Sequence, residues 1–400
     1  MRKKIIYREE YMNKLNSYKD KQIIKVITGI RRSGKSTILN EFKKELIDKG
    51  VLEKNIISIN FEDNSNRELL DFQKLHDYIM EKADEKCMNY IFLDEIQNVN
   101  EFQKCIDSLL LREYLDIYIT GSNSYMLSGE LATYLTGRYI QIHVLPLSFK
   151  EYLSYYGEEN ELRKYNEYSM YGGFPYLINL DNYNEKLEYL DSIYSTVIVK
   201  DVINRKKVND VMMLESICRF LFDSIGSSIS TKKISDTLTS KGMSTSNHTV
   251  DNYILAFIDS FLIYKAERFD VKGKNLLVRD YKYYAVDQGL ISYLLGKKAD
   301  SDMGHILENI VYLELLRRGY KVYVGKVDDL EVDFVAENRS GLKYYQVALT
   351  VRDEKVLERE LKSLQRTGDH YPKYLLTLDM DLEADYDGIT KINVIDWLLK

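Results

Sequence analysis

The stretch KQIIKVITGIRRSGKSTILNEFKKELIDKG (21–50) leaves the start of this chain little conformational choice. A largely apolar run from Ile23 to Ile27 leads into Gly29-x-x-x-x-Gly34-Lys35-Ser36. Apolar residues then return at helical spacing (Ile38, Leu39, Phe42, Leu46) and close on Gly50. Strand, loop and helix in that order suit a polyphosphate. Glycine lets backbone N–H groups curl round an anion, and the helix N-terminus adds the positive end of its dipole. Gly29, Ile30, Arg31, Arg32, Ser33, Gly34, Lys35, Ser36 and Thr37 therefore form the candidate nucleotide loop. Lys35 is expected at the β and γ phosphates of ATP and Ser36 at Mg²⁺.

NYIFLDEIQNV (89–99) narrows the chemistry. Tyr90 to Leu93 read as a buried strand that carries Asp94 to its C-terminal end, where the carboxylate can hold the Mg²⁺ water shell. Glu95 follows at once and can polarise a water against the γ phosphate. A kinase passing phosphate to a substrate has no need of that second acid, so the pair favours hydrolysis. IISINFED (56–63) and LDIYITGSN (115–123) read as further strands of the same layer. The second ends in polar residues at the edge where an open α/β sheet binds its ligand. Ser122 or Asn123 can sense the γ phosphate there, or can cap the next helix; residue type leaves both open. Arg138 precedes another alternating strand. It is either a finger that stabilises transition-state charge in a neighbouring subunit or a surface cation in an ion pair.

Bulk properties set the frame. With 400 residues the chain exceeds one ordinary core, and 3 prolines leave little room for disordered linkers. A net charge of −6 argues against wholesale coating of nucleic acid, though not against a local basic face. Cys87, Cys105 and Cys218 lie far apart without metal-ligand spacing, which suits a reducing, cytoplasmic setting. No apolar run is long enough to span a bilayer, so no membrane association is expected.

Several stretches together resemble a family of prokaryotic AAA-like P-loop ATPases whose C-terminal region is similar to restriction endonucleases. They are GIRRSGKST, FLDEIQNV, TGSNSYMLS, LTGRYIQIHVLPLSFKEYL, YGGFP, DQGL, GHILENIVYLELLRRGY and EVDFVAE. The resemblance runs from near residue 20 to the C-terminus and implies ATP binding and hydrolysis. The expected class is α/β: an ATPase core with a parallel sheet (1–150), a helical connector (151–210), a winged helix (211–285) and an α/β nuclease-like domain (286–400).

Three helices, 211–226, 230–242 and one from about Ser246, suit the winged helix, and a strand pair follows them. That pair carries Lys265, Arg268, Lys272, Lys274, Arg279 and Lys282 against three acids, so nonspecific DNA contact through phosphates is expected as readily as a purely structural role. In the C-terminal domain Glu308 and Asp333 match two acidic positions of a nuclease site. The next acid and the lysine two residues on are replaced by Gln346 and Ala348. Strand alternation turns Lys343 away from Asp333, and only a migrated lysine, Lys355 or Lys362, would restore the set. The reading is an ATPase, with a homo-oligomer implied if Arg138 acts between subunits, coupled to a degenerate nuclease-like module. Its rivals are an ATP-dependent endonuclease and a nucleotide-gated adaptor with negligible turnover.

Overall fold

The computed structural model of the protein describes residues 5–122, 124, 135, 137–157, 160–203, 210–296 and 302–400. The chain divides into two compact units: residues 1–144 with Asp259–Phe261, and residues 145–258 with 262–400.

The first unit is built on a five-stranded sheet in the order β2-β3-β4-β1-β5, whose neighbours all run parallel. The strands are β1 (Ile24–Thr28), β2 (Ile56–Asn60), β3 (Asn89–Asp94), β4 (Leu115–Gly121) and β5 (Tyr139–His143). Alternation along them makes two cores. Ile24, Val26, Ile91, Leu93, Ile117 and Ile119 share one with the helices α3 (Phe72–Lys82) and α4 (Phe102–Leu110). Ile27, Tyr90, Phe92, Tyr118 and Ile142 share the other with α1 (Glu9–Tyr18) and α2 (Lys35–Asp48). Both faces of the sheet are covered, which is why these strands read as apolar runs rather than as alternating ones. Within the second core Lys25 pairs with Asp116, both fully buried, at the end of the sheet away from the loop 29–34.

The strand order matters more than the strand count. β4 lies between β1 and β3, so the C-terminal ends of the three strands stand side by side in space although they are far apart in the chain. Ligands of open α/β sheets bind at that edge.

The second unit holds an eight-stranded mixed sheet in the order β12-β13-β11-β10-β9-β8-β6-β7. Its strands are β6 (Ile263–Asp270), β7 (Asn275–Ala285), β8 (Lys321–Val327), β9 (Leu330–Asn338), β10 (Gly341–Ala348), β11 (Lys373–Thr377), β12 (Ala384–Tyr386) and β13 (Ile389–Asn393). The helices Val211–Asp223, Thr231–Ser240 and Asn247–Asp259 precede the β6–β7 hairpin. The domain boundary expected at residue 285 does not fall between two bodies. β6 pairs in parallel with β8 (Arg268 with Val324, Asp270 with Lys326), so the hairpin belongs to the same sheet as the C-terminal strands. Only the pairing partner reveals this.

The motifs YGGFP and DQGL also find their reason here. Gly173 N–H donates to Asp287 Oδ2 (2.7 Å) and Gly289 N–H to Asp287 Oδ1 (2.9 Å), so one buried carboxylate joins the two phrases. Gly172 has φ +85°, and a Cβ there would lie 1.8 Å from Asp287 Oδ1, so only glycine fits. Burial pushes the Asp287 carboxyl up to about 7, against the pull of its backbone donors.

Candidate nucleotide site and a second lysine–carboxylate cluster

The loop after β1 takes its shape from backbone that few residues tolerate. Gly29 has φ +143°, and a Cβ there would meet the Val144 carbonyl oxygen at 2.2 Å. Arg32 (φ 66°) and Gly34 (φ 97°) are also left-handed, and Gly34 is the N-cap of α2. Ile30 and Ser33 are fully buried, whereas Arg32, Ser36 and Thr37 are exposed around the first turn of α2. Arg31 pairs with Glu62 (2.7 Å), and the Ser33 carbonyl accepts from Arg8 Nη1 (3.1 Å). Lys35 is buried; its ammonium donates to the carbonyls of Gly29 (2.9 Å) and Ile30 (3.1 Å) and lies 3.9 Å from Glu95 Oε1.

Asp94 ends β3, and Glu95 turns immediately into the left-handed region at φ 56°. Two neighbouring strands hold the pair. Thr120, at the end of β4, accepts from Glu95 N–H (2.8 Å) and donates its hydroxyl to Asp94 Oδ1 (2.5 Å). Asn60, at the end of β2, donates to Asp94 Oδ2 (3.3 Å), and Gln97 donates to Glu95 Oε2. These three residues were not singled out from sequence. Thr120 and Asn60 become neighbours of Asp94 only through the strand order, although both end apolar runs, as Asp94 does.

Ser122 is fully buried, and its hydroxyl, like that of Ser33, has no hydrogen-bond partner among the described residues. A buried hydroxyl without a partner is costly. Asn123 lies outside the described residues. His143, at the end of β5, pairs its ring with Thr28 Oγ1 (3.1 Å). Burial, and then the Lys35 charge, lower this imidazole to about 4, so it is neutral at pH 7.

The residues present fit a magnesium nucleotide. Gly29 leaves no room for a side chain, Gly34 is left-handed, two buried hydroxyls lack partners among the described residues, and Asp94 and Ser36 offer hard oxygen donors of the kind Mg²⁺ prefers. Arg138 is not part of this set. Its carbonyl accepts from Ile24 N–H (3.0 Å) at the start of β1, opposite the loop, which about five residues of strand at ~3.3 Å each separate from it. Its half-exposed guanidinium pairs with Asp107.

The second unit contains another lysine among carboxylates. Glu308, on the buried helix Met303–Arg317, accepts from Tyr284 OH (2.6 Å) and Lys282 Nζ (3.1 Å), both on β7. Lys282 also reaches Glu331 Oε1 (2.7 Å), and Arg268 reaches Glu331 Oε2 (2.9 Å). Asp333 Oδ2 accepts from Val347 N–H (2.8 Å). Gln346 turns its carbonyl to Asp333 N–H (3.3 Å) and Ser363 Oγ (3.2 Å), and its amide to Glu360 Oε2 (2.9 Å).

Glu308, Asp333 and Gln346 are thus on neighbouring elements, and the cation beside them is Lys282, not a lysine migrated from the following helix. Lys355 and Lys362 are exposed on the helix Glu354–Gln365, and Lys343 lies over the Tyr320 ring. Among the described residues no group of three His, Cys, Asp or Glu side chains is arranged to hold a metal ion.

The basic strand pair read from sequence is largely neutralised. Lys282 is buried, Arg268 is tied to Glu331, Lys272 to Asp328 (2.6 Å) and Lys265 to Glu267 (3.5 Å). The carboxylates of the β8–β9 hairpin, invisible in a count along β6 and β7, supply most of that charge. The Arg279 side chain lies outside the described residues. On the helix Asn247–Asp259 the exposed residues are Asn247, His248, Asp251, Asn252 and Leu255, with no lysine or arginine among them.

Comparison with known proteins places an AAA domain over residues 21–153 and a domain of unknown function (DUF8612) over residues 162–301. An uncharacterized protein of Haemophilus influenzae is 40% identical over 100% of this chain and 100% of its own length. Uncharacterized protein MJ1544 of Methanocaldococcus jannaschii is 30% identical over 98% of this chain and 92% of its own length. Among solved structures, the Walker-type ATPase paby2304 of Pyrococcus abyssi aligns with a TM-score of 0.49 and 17% identity over 73% of this chain and 97% of its own.

Proposed function

We propose that this chain, which belongs to one family with the uncharacterized Haemophilus influenzae protein and MJ1544 and matches an AAA domain over residues 21–153, binds ATP with Mg²⁺ and hydrolyses it. The observation that carries the proposal is the acid pair Asp94–Glu95, clamped by the single hydroxyl of Thr120 and facing Lys35 across 3.9 Å. A fold that needed only a turn at this point has no use for a left-handed glutamate buried beside a lysine.

In this reading the loop amides from Gly29 to Gly34 bind the phosphates, and Lys35 exchanges its two carbonyl partners for phosphate oxygens. Ser36 and Asp94 hold Mg²⁺, which supplies positive charge to the phosphate oxygens. Glu95, held through its backbone by Thr120 and through its carboxylate by Gln97, orients and polarises the attacking water. Ser122 stands at the γ-phosphate edge. Arg138, on the opposite end of the sheet, acts on the site of a second copy.

Phosphate release tests the proposal directly. Wild type should turn over ATP, Glu95→Gln should bind ATP with turnover near background, and Lys35→Ala should do neither. Background release by the wild type with normal ATP binding would favour the nucleotide-gated adaptor.

We further propose that the second unit is what nucleotide state moves. The three helices before the β6–β7 hairpin support a winged-helix reading. The helix Met303–Arg317 followed by β8, β9, β10, the helix Glu354–Gln365 and β11 supports a nuclease-like order. We read that module as catalytically inactive, since Gln346 adds no charge and Ala348 no base. Plasmid and branched DNA incubated with Mg²⁺ or Mn²⁺ should remain intact; cleavage abolished by Asp333→Ala would favour the endonuclease. Turnover measured with and without DNA tests nucleic acid as client. Because the hairpin cations are already paired and can neutralise few phosphates, stimulation is expected to be modest and its salt dependence shallow.

A further inference from the structure

We infer that the Lys282 ammonium is the built-in cation of the Glu308–Glu331–Asp333 cluster, occupying electrostatically the role a divalent metal plays in a working nuclease-like site and binding β7 to the C-terminal core. The inference rests on the nuclease-like reading of Glu308, Asp333 and Gln346 proposed above. It is independent of ATP hydrolysis.

The geometry leaves a metal little to bind. Each group that would ligate one already has a donor from the protein. Glu308 Oε1 takes Lys282 and Tyr284, and Glu308 Oε2 faces His305 Nδ1 at 3.9 Å. Asp333 Oδ2 takes the Val347 N–H, and the Gln346 carbonyl is shared between Asp333 N–H and Ser363. Lys282 and Tyr284, two residues apart on β7, point to one side, which strand alternation requires for both to reach Glu308.

The adjoining residues hold the same strand: Asn309 accepts from Ala285 N–H (2.8 Å) and donates to the Ala285 carbonyl (3.1 Å). Glu308 and Asn309, the two polar residues inside the otherwise apolar run HILENIVYL, are thus both spent on β7. Charge balances without an outside ion. Lys282 and Arg268 face Glu308 and Glu331. Asp333 is driven well above the ordinary carboxylate range by burial and by the neighbouring Glu308 charge. Burial opposes ionisation of Glu308 too, but Lys282, His305 and Tyr284 hold it below its usual range. Burial likewise opposes the charge on Lys282, and Glu308, Asp333 and Glu331 outweigh it.

A buried carboxylate that loses its cation is strongly destabilising, whereas removing both partners is much less so. The test uses the full chain in an Asp94→Asn background, so that the acid pair of the first unit does not bind the probe. Melting temperature and Mn²⁺ binding are read in EDTA and in Mn²⁺.

The parent should bind no Mn²⁺ at this cluster and melt at the same temperature in both. Lys282→Met should melt roughly 5–15 °C lower in EDTA, and Mn²⁺ should return a substantial part of the loss. The double variant Lys282→Met/Glu308→Gln should recover stability without metal, and decides the matter if the single variant does not fold. Mn²⁺ binding by the parent that Glu308→Gln abolishes would overturn the inference. So would a Lys282→Met variant as stable as its parent, or a double variant no better than a single one that fails to fold. DNA cleavage by the same parent sample would instead strike at the inactive-nuclease reading, so the two failures are distinct.

Discussion

Lys35 and Lys282 are each buried beside a glutamate, and the two sites differ in what they leave unsatisfied. Lys35 rests on backbone carbonyls 3.9 Å from Glu95, while the hydroxyls of Ser33 and Ser122 are buried without partners among the described residues and Asp94 remains half-buried at a sheet edge. Lys282 lies 3.1 Å from Glu308 and 2.7 Å from Glu331, so its charge is met by carboxylates, although Arg268 Nε beside Glu331 is buried without a hydrogen-bond partner among the described residues. Lysine and carboxylate side chains therefore serve two ends. Where donors and acceptors are held apart by strained backbone, a ligand can complete the site; where they meet, the charges hold two parts of the fold together.

The contrast is open to attack at several points. The largest effect is expected at the first lysine and its glutamate. Lys35→Ala should abolish detectable ATP binding by calorimetry, and Glu95→Gln should cost about 10²–10⁴-fold in turnover while leaving ATP bound. Next comes the inter-subunit role proposed for Arg138. Arg138→Ala should lower turnover about 10²-fold or more, and mixing it with Lys35→Ala should restore part of the loss, because one intact site can then form between copies. Without recovery the guanidinium is left with its Asp107 contact alone.

Smaller again is Thr120→Val, which removes one hydroxyl from between Asp94 and Glu95. Turnover should fall about 10-fold and stability by ~1–3 kcal/mol, measured by denaturant unfolding. A change in stability alone would mean that the clamp is only architectural.

The most local test is of pH. His143 titrates at about 4 in the fold against 6.5 in the open chain, so its contribution is present above pH 6.5 and is lost as pH falls through 4. Between neutral pH and pH 5 this amounts to about 2 kcal/mol, and the stability of His143→Gln should fall that much less over the interval.

How much of this was legible beforehand varies by site. The nucleotide loop was, because glycine positions and helical spacing are local properties. Asp94 and Glu95 were, because a buried parallel strand announces itself as an apolar run and its last residue faces the ligand edge. Thr120 and Asn60 were not, since β4 and β2 meet β3 only through a pairing order that no local pattern encodes. Lys282 was missed as the partner of Glu308 for a similar reason, while Lys355 and Lys362, weighed only as migrated lysines that would restore a nuclease set, are exposed. Proximity along the chain pointed to the following helix, whereas the parallel pairing of β6 with β8 brings the β6–β7 hairpin into the C-terminal sheet. The basic hairpin misled because its charges were counted without the β8–β9 carboxylates that meet them.

Sequence alone determined that this chain contains a strand, a glycine loop and a helix able to cradle phosphate, followed by a strand ending in two acids. Those features depend on residues within a few positions of one another, where backbone sterics and side-chain period govern. Tertiary structure alone decided which hydroxyl clamps the acid pair, which lysine meets Glu308, and which cations of the hairpin stay available to a ligand. Electrostatic and hydrogen-bond partnership act over a few ångströms of space, and strand pairing joins residues that the chain holds far apart.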